Sequence, residues 1–320
     1  MKKHWQQNKS TVETLHSLSG TVLWGFGGFY QVLLPQRSII CKLRGTLKQQ
    51  DGGIFPGDFV RISLDEQRQT SQQGMQHEGM IEEIFPRRNL FLRPKVANVE
   101  QAILILAAKD PKPDWLLMDR MLAMAAYNGV RPVICLNKCD LLEKSAQKKL
   151  EEDLLPYRKA EFLVLLVSAQ TGYGITQLKE VLSGKFSVLA GPSGIGKSSL
   201  LNTLFPKLDL PTGEISQRLQ RGKHTTRHVK IMVLEDHTLV ADTPGFSLLD
   251  LPQDLNERHL VQAYPDFVGL GRCRFDGCLH DQEPDCVVKE AVNSGKIAKV
   301  RYERYLRLLN EIREREDIYR

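Results

Sequence analysis

The chain has 320 residues, of which 42% are hydrophobic and 26% charged, and its formal net charge is +6. This length and composition are typical of an ordinary soluble protein with two or three domains, and the sequence contains no internal repeat and no low-complexity tract. The apolar stretch at residues 21–34 is broken by glycines and is shorter than the roughly 20 residues of a membrane span, so no membrane association is expected.

The basic excess lies mainly in the first part of the chain, where residues 1–95 carry 13 basic and 8 acidic residues. Such an asymmetry favours a polyanionic partner, with RNA as the first candidate. A solvated basic face without a partner is the alternative, and charge alone does not distinguish the two.

Residues 1–18 are polar and lack periodicity, which predicts a mobile basic tail. Residues 19–95 hold short alternating apolar runs separated by Gly, Pro and Asp, which predicts a five-stranded OB-type β-barrel with a flexible loop at 65–78. Such a barrel would present basic side chains to nucleic acid, or it would only pack against its neighbouring domain. The candidate RNA contacts are Arg44, Lys48, Arg61, Arg87, Arg88 and Arg93.

Residues 96–250 consist of Val-, Ile- and Leu-rich runs that alternate with helical stretches. Near-continuous apolar strands suit a sheet covered on both faces, so this segment is predicted to be a doubly wound α/β domain. The candidate strands are QAILILAA, RPVICLN, EFLVLLVSA, FSVLAG, VKIMVLE and HTLVAD. The candidate helices are PDWLLMDRMLAMAAYNG and GITQLKEVLSG, each followed by a glycine stop.

The stretch GPSGIGKS predicts a phosphate-binding loop, because it matches G-x-x-x-x-G-K-[ST] between a strand and a helix. Its glycines let backbone N–H groups turn toward phosphates at a helix N-terminus. Lys197 is placed to reach the β- and γ-phosphates, and the Ser198 hydroxyl to bind Mg²⁺. The predicted nucleotide contacts of this loop are Gly191, Pro192, Ser193, Gly194, Ile195, Gly196, Lys197, Ser198 and Ser199.

Two further elements belong to the phosphate side. HTLVADTPG places Asp242 at a strand end, where it would hold Mg²⁺ through a water, with the Gly245 amide near the γ-phosphate. This pattern alone is weak, because Asp-x-Pro-Gly is also a good turn sequence, but beside a phosphate loop it is strong. Between the two lies the basic stretch RGKHTTRH, in which Thr225 or Thr226 would give Mg²⁺ a second hydroxyl ligand.

The stretch VICLNKCDLL predicts the element that reads the base of the nucleotide. Asp140 is placed to accept from the N1–H and exocyclic amine of guanine, whereas adenine would leave that carboxylate unpaired. Asn137 would tie this loop to the phosphate loop, and Lys138 would lay its stem over the base. In VSAQTGYG, Ser168 and Ala169 complete the set, with the Ala169 amide donating to the guanine carbonyl.

The base motif precedes the phosphate loop along the chain, which reverses the order of an ordinary GTPase. Ligands of an open α/β sheet bind at the carboxyl ends of its strands, so the site depends on where these ends lie and not on their order in the chain. Chain termini often lie close together, so a circular permutation can preserve such a site. We therefore interpret the domain as a circularly permuted P-loop GTPase, in which residues 182–186 join the original last helix to the original first strand.

Residues 251–320 are predicted to form a zinc-binding domain with a C-terminal helix. They hold Cys273, Cys278, His280 and Cys286 in the pattern C-x4-C-x-H-x5-C, a closed tetrahedral ligand set for one structural Zn²⁺. A chance cluster of reduced thiols is the alternative, which the polar sequence around the cysteines disfavours. Reduced thiols also indicate a reducing compartment, so a cytoplasmic protein is expected.

Together these motifs resemble one known family, the circularly permuted, ribosome small-subunit-dependent GTPases of bacteria. The resemblance covers nearly the whole chain, from the barrel through NKCD, SAQTGYG, GPSGIGKSSLLN, GKHTT and DTPGF to the cysteine cluster. It implies a GTPase that acts late in small-subunit assembly, binds the small (30S) ribosomal subunit at its 16S rRNA, and is stimulated by the subunit. We expect a monomer.

The group that positions the attacking water is not evident, because the residue after D-T-P-G is Phe246, which cannot hydrogen-bond to water. In keeping with the resemblance, His224 is the candidate, with Lys197, Thr225 and Thr226 as the other catalytic residues. The alternative for His224 is a contact with RNA or phosphate in a basic loop.

The permutation leads the chain from D-T-P-G directly into the zinc domain. We hypothesise that the γ-phosphate state is transmitted along this link and shifts the zinc domain on RNA. Two other classes of function stay open from the residues. A P-loop kinase or ATPase would leave Asn137 and Asp140 without a purpose. An RNA-binding scaffold would bind GTP without subunit-stimulated hydrolysis.

Overall fold

A computed structural model of the chain describes residues 18–44, 53–70, 76–92, 95–208, 229–242 and 251–318. The chain divides into two compact units, Met1–Arg87 and Arg88–Arg320. Within the ranges given above, no helix combines the length and the apolar character needed to cross a membrane.

The first unit contains a closed five-stranded β-barrel, as the sequence predicts. Its strands are β1 (Leu18–Phe26), β2 (Phe29–Leu33), β3 (Ser38–Leu43), β4 (Phe59–Thr70) and β5 (Gln76–Ile84). They are paired in the order β1-β2-β3-β5-β4, and β4 closes on β1. The pair β3–β5 is parallel and the other pairs are antiparallel, which is the arrangement of an OB-fold.

Glycines set the first hairpin of the barrel. Gly27 and Gly28 connect β1 to β2 with φ of +59° and +82°. A two-residue hairpin turn of the type that matches strand twist needs positive φ at both positions, which glycine adopts without steric cost. The apolar run at residues 21–34 is therefore a strand pair, as predicted.

The prediction of a loop at 65–78 is wrong for most of that stretch. Strand β4 continues to Thr70 and β5 starts at Gln76, with Gln69 paired to His77 beyond a break in register after Leu64. A strand ladder is held by backbone hydrogen bonds, which polar residues make as well as apolar ones. The polar character that suggested a loop therefore did not prevent strand pairing.

The second unit is built on a six-stranded sheet, preceded by a small antiparallel pair, β6 (Leu90–Leu92) and β7 (Lys95–Ala97). The sheet strands are β8 (Gln101–Ala107), β9 (Arg131–Asn137), β10 (Leu163–Leu166), β11 (Phe186–Ala190), β12 (Lys230–Val233) and β13 (Leu239–Asp242). Their order is β10-β9-β8-β11-β13-β12, and only β12 runs antiparallel to its neighbour. All six strands are predicted from the sequence.

Helices cover the sheet and form most of the carboxyl-terminal part. They are α1 (Trp115–Tyr127), α2 (Lys144–Lys159), α3 (Ile175–Leu182), α4 (Lys197–Leu204), α5 (Glu257–Gln262), α6 (Val287–Asn293) and α7 (Lys299–Ile318). Helix α2 is not evident in the sequence pattern, because its apolar face is a narrow stripe of Leu150, Leu154 and Tyr157 in a charged sequence. Helices α5 and α7 pack against α1, so the carboxyl-terminal part rests on the base side of the sheet.

The strand order separates the two groups of predicted motifs. Strands β8 to β10 lead to the predicted base site, and β11 to β13 lead to the predicted phosphate site. Because β8 and β11 are parallel neighbours, both groups meet at one carboxyl edge of the sheet. The new join is short, since α3 ends at Leu182 and β11 begins at Phe186. The multi-domain prediction, with an OB-type barrel and a permuted α/β domain, agrees with this architecture.

Candidate functional site

The phosphate-loop motif forms a tight turn between β11 and α4. Gly196 has a φ of +88°, and a Cβ atom there would lie 2.6 Å from Asn137 Nδ2. A Cβ atom on Gly191 would lie 2.2 Å from the backbone oxygen of Ile105 on β8. Only glycine fits these two positions, since the loop backbone touches the neighbouring strand and the NKCD motif. Of the other loop residues, Ser193 and Gly194 are exposed and Ile195 is buried.

Lys197 opens helix α4 and folds back across the loop. Its Nζ donates to the carbonyl oxygens of Gly191 and Pro192, both at 2.8 Å. The ammonium group therefore sits beside the helix N-terminus, where the dipole also favours an anion. Ser198 and Ser199 follow in the first turn of α4, and both are half-buried.

One buried amide joins three separate motifs. Asn137, at the end of β9, is 1% exposed. Its Nδ2 donates to the Ile195 carbonyl at 2.8 Å, and its Oδ1 accepts from the Ala169 N–H at 3.2 Å. The phosphate loop, the NKCD motif and the SAQTGYG loop are thus fixed relative to each other through a single side chain.

Lys138 lies over the edge of the same site in a left-handed conformation, with a φ of +64°. Its Nζ donates to the carbonyl oxygens of Asp110 at 2.6 Å and Gly194 at 2.9 Å. The lysine stem therefore crosses from the end of β9 to the phosphate loop, with the loop after β8 on its other side. Asp110 was not identified from the sequence, and nothing in the local pattern marks its carbonyl oxygen as a partner.

The Asp140 carboxylate is exposed but held in orientation by a buried serine. Ser168 Oγ donates to Asp140 Oδ1 at 2.5 Å, and the same Oγ accepts from the Thr171 N–H at 3.1 Å. Thr203 of α4 donates to the Ala169 carbonyl at 3.0 Å, which ties α4 to the same loop. Thr171 and Thr203 were missed in the sequence because each is a common residue without a motif of its own.

The predicted phosphate site also includes the residue at the end of β13. Asp242 is the last residue of that strand and lies in register with Leu189 of β11, directly before the phosphate loop. Its backbone is thus beside the site that the sequence predicts. The other predicted residues of this side lie outside the described residues; they are His224, Thr225, Thr226 and Gly245.

The predicted metal ligands converge on one point. The ligand atoms of Cys273, Cys278, His280 and Cys286 all lie within 4.8 Å of one another. His280 Nδ1 lies 3.6, 3.4 and 3.3 Å from the three sulfur atoms, in chain order. A tetrahedral Zn²⁺, with bonds of about 2.3 Å to sulfur and 2.0 Å to nitrogen, separates its ligand atoms by roughly 3.5 to 3.8 Å. The four side chains therefore fit one Zn²⁺ ion.

The surroundings of the cluster favour a neutral His280 imidazole and a Cys278 thiol that loses its proton when a cation binds. Burial lowers the pKa of His280 below its usual value, which keeps a ring nitrogen available as a ligand. Burial also raises the pKa of Cys278 to about 12, so binding of a cation would release protons. Three thiolates and one imidazole are the ligand composition of a closed structural site.

Several predicted RNA contacts of the barrel are already paired with carboxylates. Arg87 contacts the fully buried Asp58 at 2.6 Å and lies 4.7 Å from the ring centroid of Phe55, so it is a structural residue. Arg44 pairs with Glu82, Arg61 with Glu83, and Arg88 of the second unit with Glu100. Lys48 and Arg93 lie outside the described residues.

Two exposed aromatic side chains of the barrel were not predicted. Phe26 at the β1–β2 turn is 61% exposed, and Phe59 at the start of β4 is 46% exposed. Both belong to runs that the sequence assigns to strands, and the alternation pattern gave no reason to expect them on the surface. Exposed aromatic rings are the kind of surface on which nucleobases stack.

Family comparisons agree with this geometry. Residues 84–252 match the family described as RsgA GTPase, and residues 19–71 match the one described as RsgA N-terminal domain. A protein of Moorella thermoacetica named small ribosomal subunit biogenesis GTPase RsgA is 44% identical over 302 residues, which span 93% of this chain and 99% of the relative. A protein of the same name from Geobacillus is 42% identical over 301 residues, with 94% and 99% covered.

Two solved structures share the fold over nearly the whole chain. YjeQ from Thermotoga maritima superposes with a TM-score of 0.78 at 34% identity, covering 92% of this chain and 98% of that one. YloQ, described as a circularly permuted GTPase, gives 0.79 at 32% identity, covering 95% and 98%. The permuted arrangement predicted from the motif order is therefore confirmed.

Proposed function

The chain belongs to the RsgA GTPase family and is a GTP-hydrolysing enzyme, and on that premise we propose that it serves ribosome biogenesis. It binds the small (30S) ribosomal subunit late in assembly, hydrolyses GTP to GDP and phosphate, and is stimulated by the subunit. The names of its relatives support the small subunit as partner. A ribosomal partner also supports a cytoplasmic location.

The observation that carries the nucleotide assignment is the buried Asn137 bridge. The Asn137 side chain donates to the Ile195 carbonyl of the phosphate loop at 2.8 Å and accepts from the Ala169 N–H at 3.2 Å. A site for a purine nucleotide needs this spacing to be fixed, because base and phosphates are joined by a sugar of constant length. Pre-organisation of this kind reduces the ordering cost of binding.

Guanine recognition is assigned to Asp140, which accepts from two N–H groups of the base. Ser168 donates to its Oδ1 and so fixes the plane of the carboxylate. Lys138 covers the base with its stem, and the Ala169 N–H is shared between Asn137 and the guanine carbonyl. Adenine offers no matching pair of donors at this edge, so ATP is rejected.

Phosphate binding is assigned to the loop Gly191–Ser199. Lys197 exchanges its two loop carbonyls for β- and γ-phosphate oxygens, and the loop amides surround the phosphates. Mg²⁺ would be held by the Ser198 and Thr226 hydroxyls and by Asp242, and when bound it neutralises charge on the β- and γ-oxygens. Ser198 fits this role by its place in the first turn of α4, and Asp242 by its place at the end of β13.

Hydrolysis requires a water in line with the bond between the γ-phosphorus and the bridging oxygen. Phe246 cannot orient that water, so His224 is proposed as the positioning group, with Thr225 and Thr226 beside it. The zinc set of Cys273, Cys278, His280 and Cys286 stabilises the carboxyl-terminal fold and takes no part in the chemistry.

RNA binding is assigned to the barrel, with 16S rRNA as the ligand. Arg44 and Arg61 keep well-exposed side chains beside their carboxylate partners. Phe26 and Phe59 offer rings for stacking. Arg87 is removed from the set of contacts because it holds the buried Asp58.

The decisive experiment is GTP hydrolysis by the purified protein alone and with small subunits, large subunits or intact ribosomes, with ATP as the control substrate. Strong stimulation by small subunits with no turnover of ATP is the expected result. Equal stimulation by large subunits, or by neither, would withdraw the proposed partner while leaving the enzyme class intact.

A further inference from the structure

A five-residue segment near the start of α7 has two chemically different faces. Its sequence is Arg-Tyr-Glu-Arg-Tyr, from Arg301 to Tyr305. Positions three apart on a helix lie on one face, so the two arginines form one row and the two tyrosines another. We call this segment the α7 clamp.

The arginine row holds helix α1 of the GTPase domain. Arg301 donates from Nη1 to Asp119 Oδ1 at 2.5 Å, and Arg304 donates from Nε to Asp119 Oδ2 at 2.5 Å. Arg301 also pairs with Asp266 at 2.8 Å. The side chains of Arg301 and Asp119 are 1% and 0% exposed, so loss of any member of this network leaves a buried charge with fewer partners.

Aromatic rings close around the Arg301 guanidinium. Its carbon lies 4.6 Å from the ring centroid of Tyr264 and 4.9 Å from that of Tyr157. Tyr157 belongs to α2, the helix that follows the NKCD motif, and its ring contacts Trp115 at the start of α1. The arginine row thus touches both helices that flank the predicted base site.

The tyrosine row holds the metal loop. Tyr302 donates from its hydroxyl to the His280 carbonyl at 2.6 Å, and the Tyr305 hydroxyl donates to the Leu279 carbonyl. His280 has a φ of +60°, so its backbone is in a conformation that needs support from its surroundings. The clamp supplies that support at the centre of the ligand set.

Helix α1 and the segment directly before it connect the clamp to the base site. The Asp110 carbonyl accepts from Lys138 Nζ at 2.6 Å, and α1 begins at Trp115. Pro111 and Pro113 lie between them, and each fixes its own φ, so this connection is stiff. Asp119 lies in the second turn of the same helix.

We propose that Arg301 and Arg304 are positioning residues for the guanine site, and that they couple the occupied metal loop to nucleotide affinity through α1. This inference rests on the proposed assignment of Lys138 and Asp140 to guanine. It differs from transmission along the link after D-T-P-G, because it involves the base side and does not require the γ-phosphate. GDP should therefore couple to the metal loop as well as GTP does.

The coupling is measured on the full chain in two ways. A fluorescent GDP analogue gives the nucleotide Kd with the zinc-loaded protein and after treatment with a zinc-selective chelator. The affinity for zinc is measured by competition with that chelator, with and without GDP. Linkage requires the effect of each ligand on the affinity of the other to be reciprocal. We expect zinc removal to weaken GDP binding about tenfold and GDP to strengthen zinc binding by the same factor.

Variants then separate the clamp from general stability. Arg304→Gln should reduce both effects to less than twofold, whereas Arg307→Gln, an exposed position on the same helix, should leave them unchanged. Tyr302→Phe removes only the hydroxyl that contacts the metal loop, and it should also reduce the coupling between zinc and GDP. This variant tests the inference if Arg304→Gln does not fold.

Two results would overturn the inference: no coupling in the unmodified protein, or full coupling in both Arg304→Gln and Tyr302→Phe. The proposed guanine site is tested apart from this by Asp140→Asn. If Asp140→Asn leaves GDP affinity intact, the site assignment fails. If Asp140→Asn abolishes GDP affinity while the clamp variants keep full coupling, the guanine site stands and only the proposed role of the α7 clamp is refuted.

Discussion

Replacement of Asp140 by asparagine is the sharpest test of the guanine site. The substitution keeps the size of the side chain and changes one carboxylate oxygen into an NH₂ group. Ser168 Oγ accepts from the Thr171 N–H and donates to Asp140 Oδ1, so it presents a proton at that position. The new amide will therefore keep its oxygen toward Ser168 and turn its NH₂ toward the base.

The magnitude follows from that orientation. Guanine donates two hydrogen bonds to the carboxylate, and hydrogen bonds to a charged partner contribute about 1.5–3 kcal/mol each. With an NH₂ group in place of the second oxygen, one pair becomes donor against donor, and the other bond loses its charged acceptor, so both bonds are weakened. We expect a loss of about 3–6 kcal/mol, which corresponds to a roughly 10²- to 10⁴-fold weaker affinity for GDP. Xanthine carries a carbonyl where guanine carries the amine, so XDP should bind the variant better than GDP.

The assay is a titration of GDP and XDP against the variant and the unmodified protein. Glu152→Gln is the matched control, because it removes one exposed carboxylate from α2 without touching the site. A variant that binds GDP as tightly as before would refute the assignment of Asp140. Equal loss of GDP and XDP together with a lower melting temperature would show that the substitution acts on the fold.

Four other predictions concern the phosphate loop, the Asn137 bridge, His224 and the cysteines. Gly196→Ala should destabilise the protein more than Gly194→Ala in thermal unfolding, since both have positive φ but only the Cβ at 196 would meet Asn137, at 2.6 Å. Asn137→Ala should cost about 2–4 kcal/mol in denaturant unfolding, because it leaves the Ile195 carbonyl and the Ala169 N–H without a buried partner; an unchanged midpoint would contradict this. His224→Ala should reduce subunit-stimulated turnover roughly hundredfold at unchanged GTP affinity, and unchanged turnover would remove His224 from the mechanism. Burial raises the pKa of Cys139 to about 11, so at pH 8 it stays a protonated thiol and should react slowly with a disulfide reagent. Chelation of the metal should make three further thiols available to that reagent, those of Cys273, Cys278 and Cys286.

The fold was predictable wherever the sequence has a regular period. All six strands of the main sheet are apolar runs, and a strand buried on both faces needs such runs. The strands beyond Leu64 in the barrel and helix α2 were not predictable by the same rule. Both are polar over most of their length, and they form because backbone pairing and a narrow apolar stripe are sufficient in the context of the rest of the fold.

The motifs predict which residues belong to the candidate site, but they do not predict the hydrogen bonds that orient those residues. The phosphate loop and NKCD motif place Lys197, Asn137 and Asp140 by spacing alone. The partners that orient them come from backbone atoms and common residues, such as the Asp110 carbonyl and the Thr171 N–H. Such partners carry no compositional signal, since any residue has a carbonyl and an amide. They emerge only when the strand order brings distant loops to one edge.

The permutation gives the zinc domain connections to both halves of the nucleotide site. By chain connectivity it follows β13, which carries Asp242 on the phosphate side. By side-chain contacts it rests on α1, which follows β8 and reaches the base side through Asp110 and Lys138. In the unpermuted order, a domain placed after the last strand would follow β10 and α3, next to the base loop and away from the γ-phosphate. Because the permutation moved the end of the domain from one side of the sheet to the other, the carboxyl-terminal part has a packed helix on the base side and a chain connection on the phosphate side, and the coupling that we propose uses the first of these.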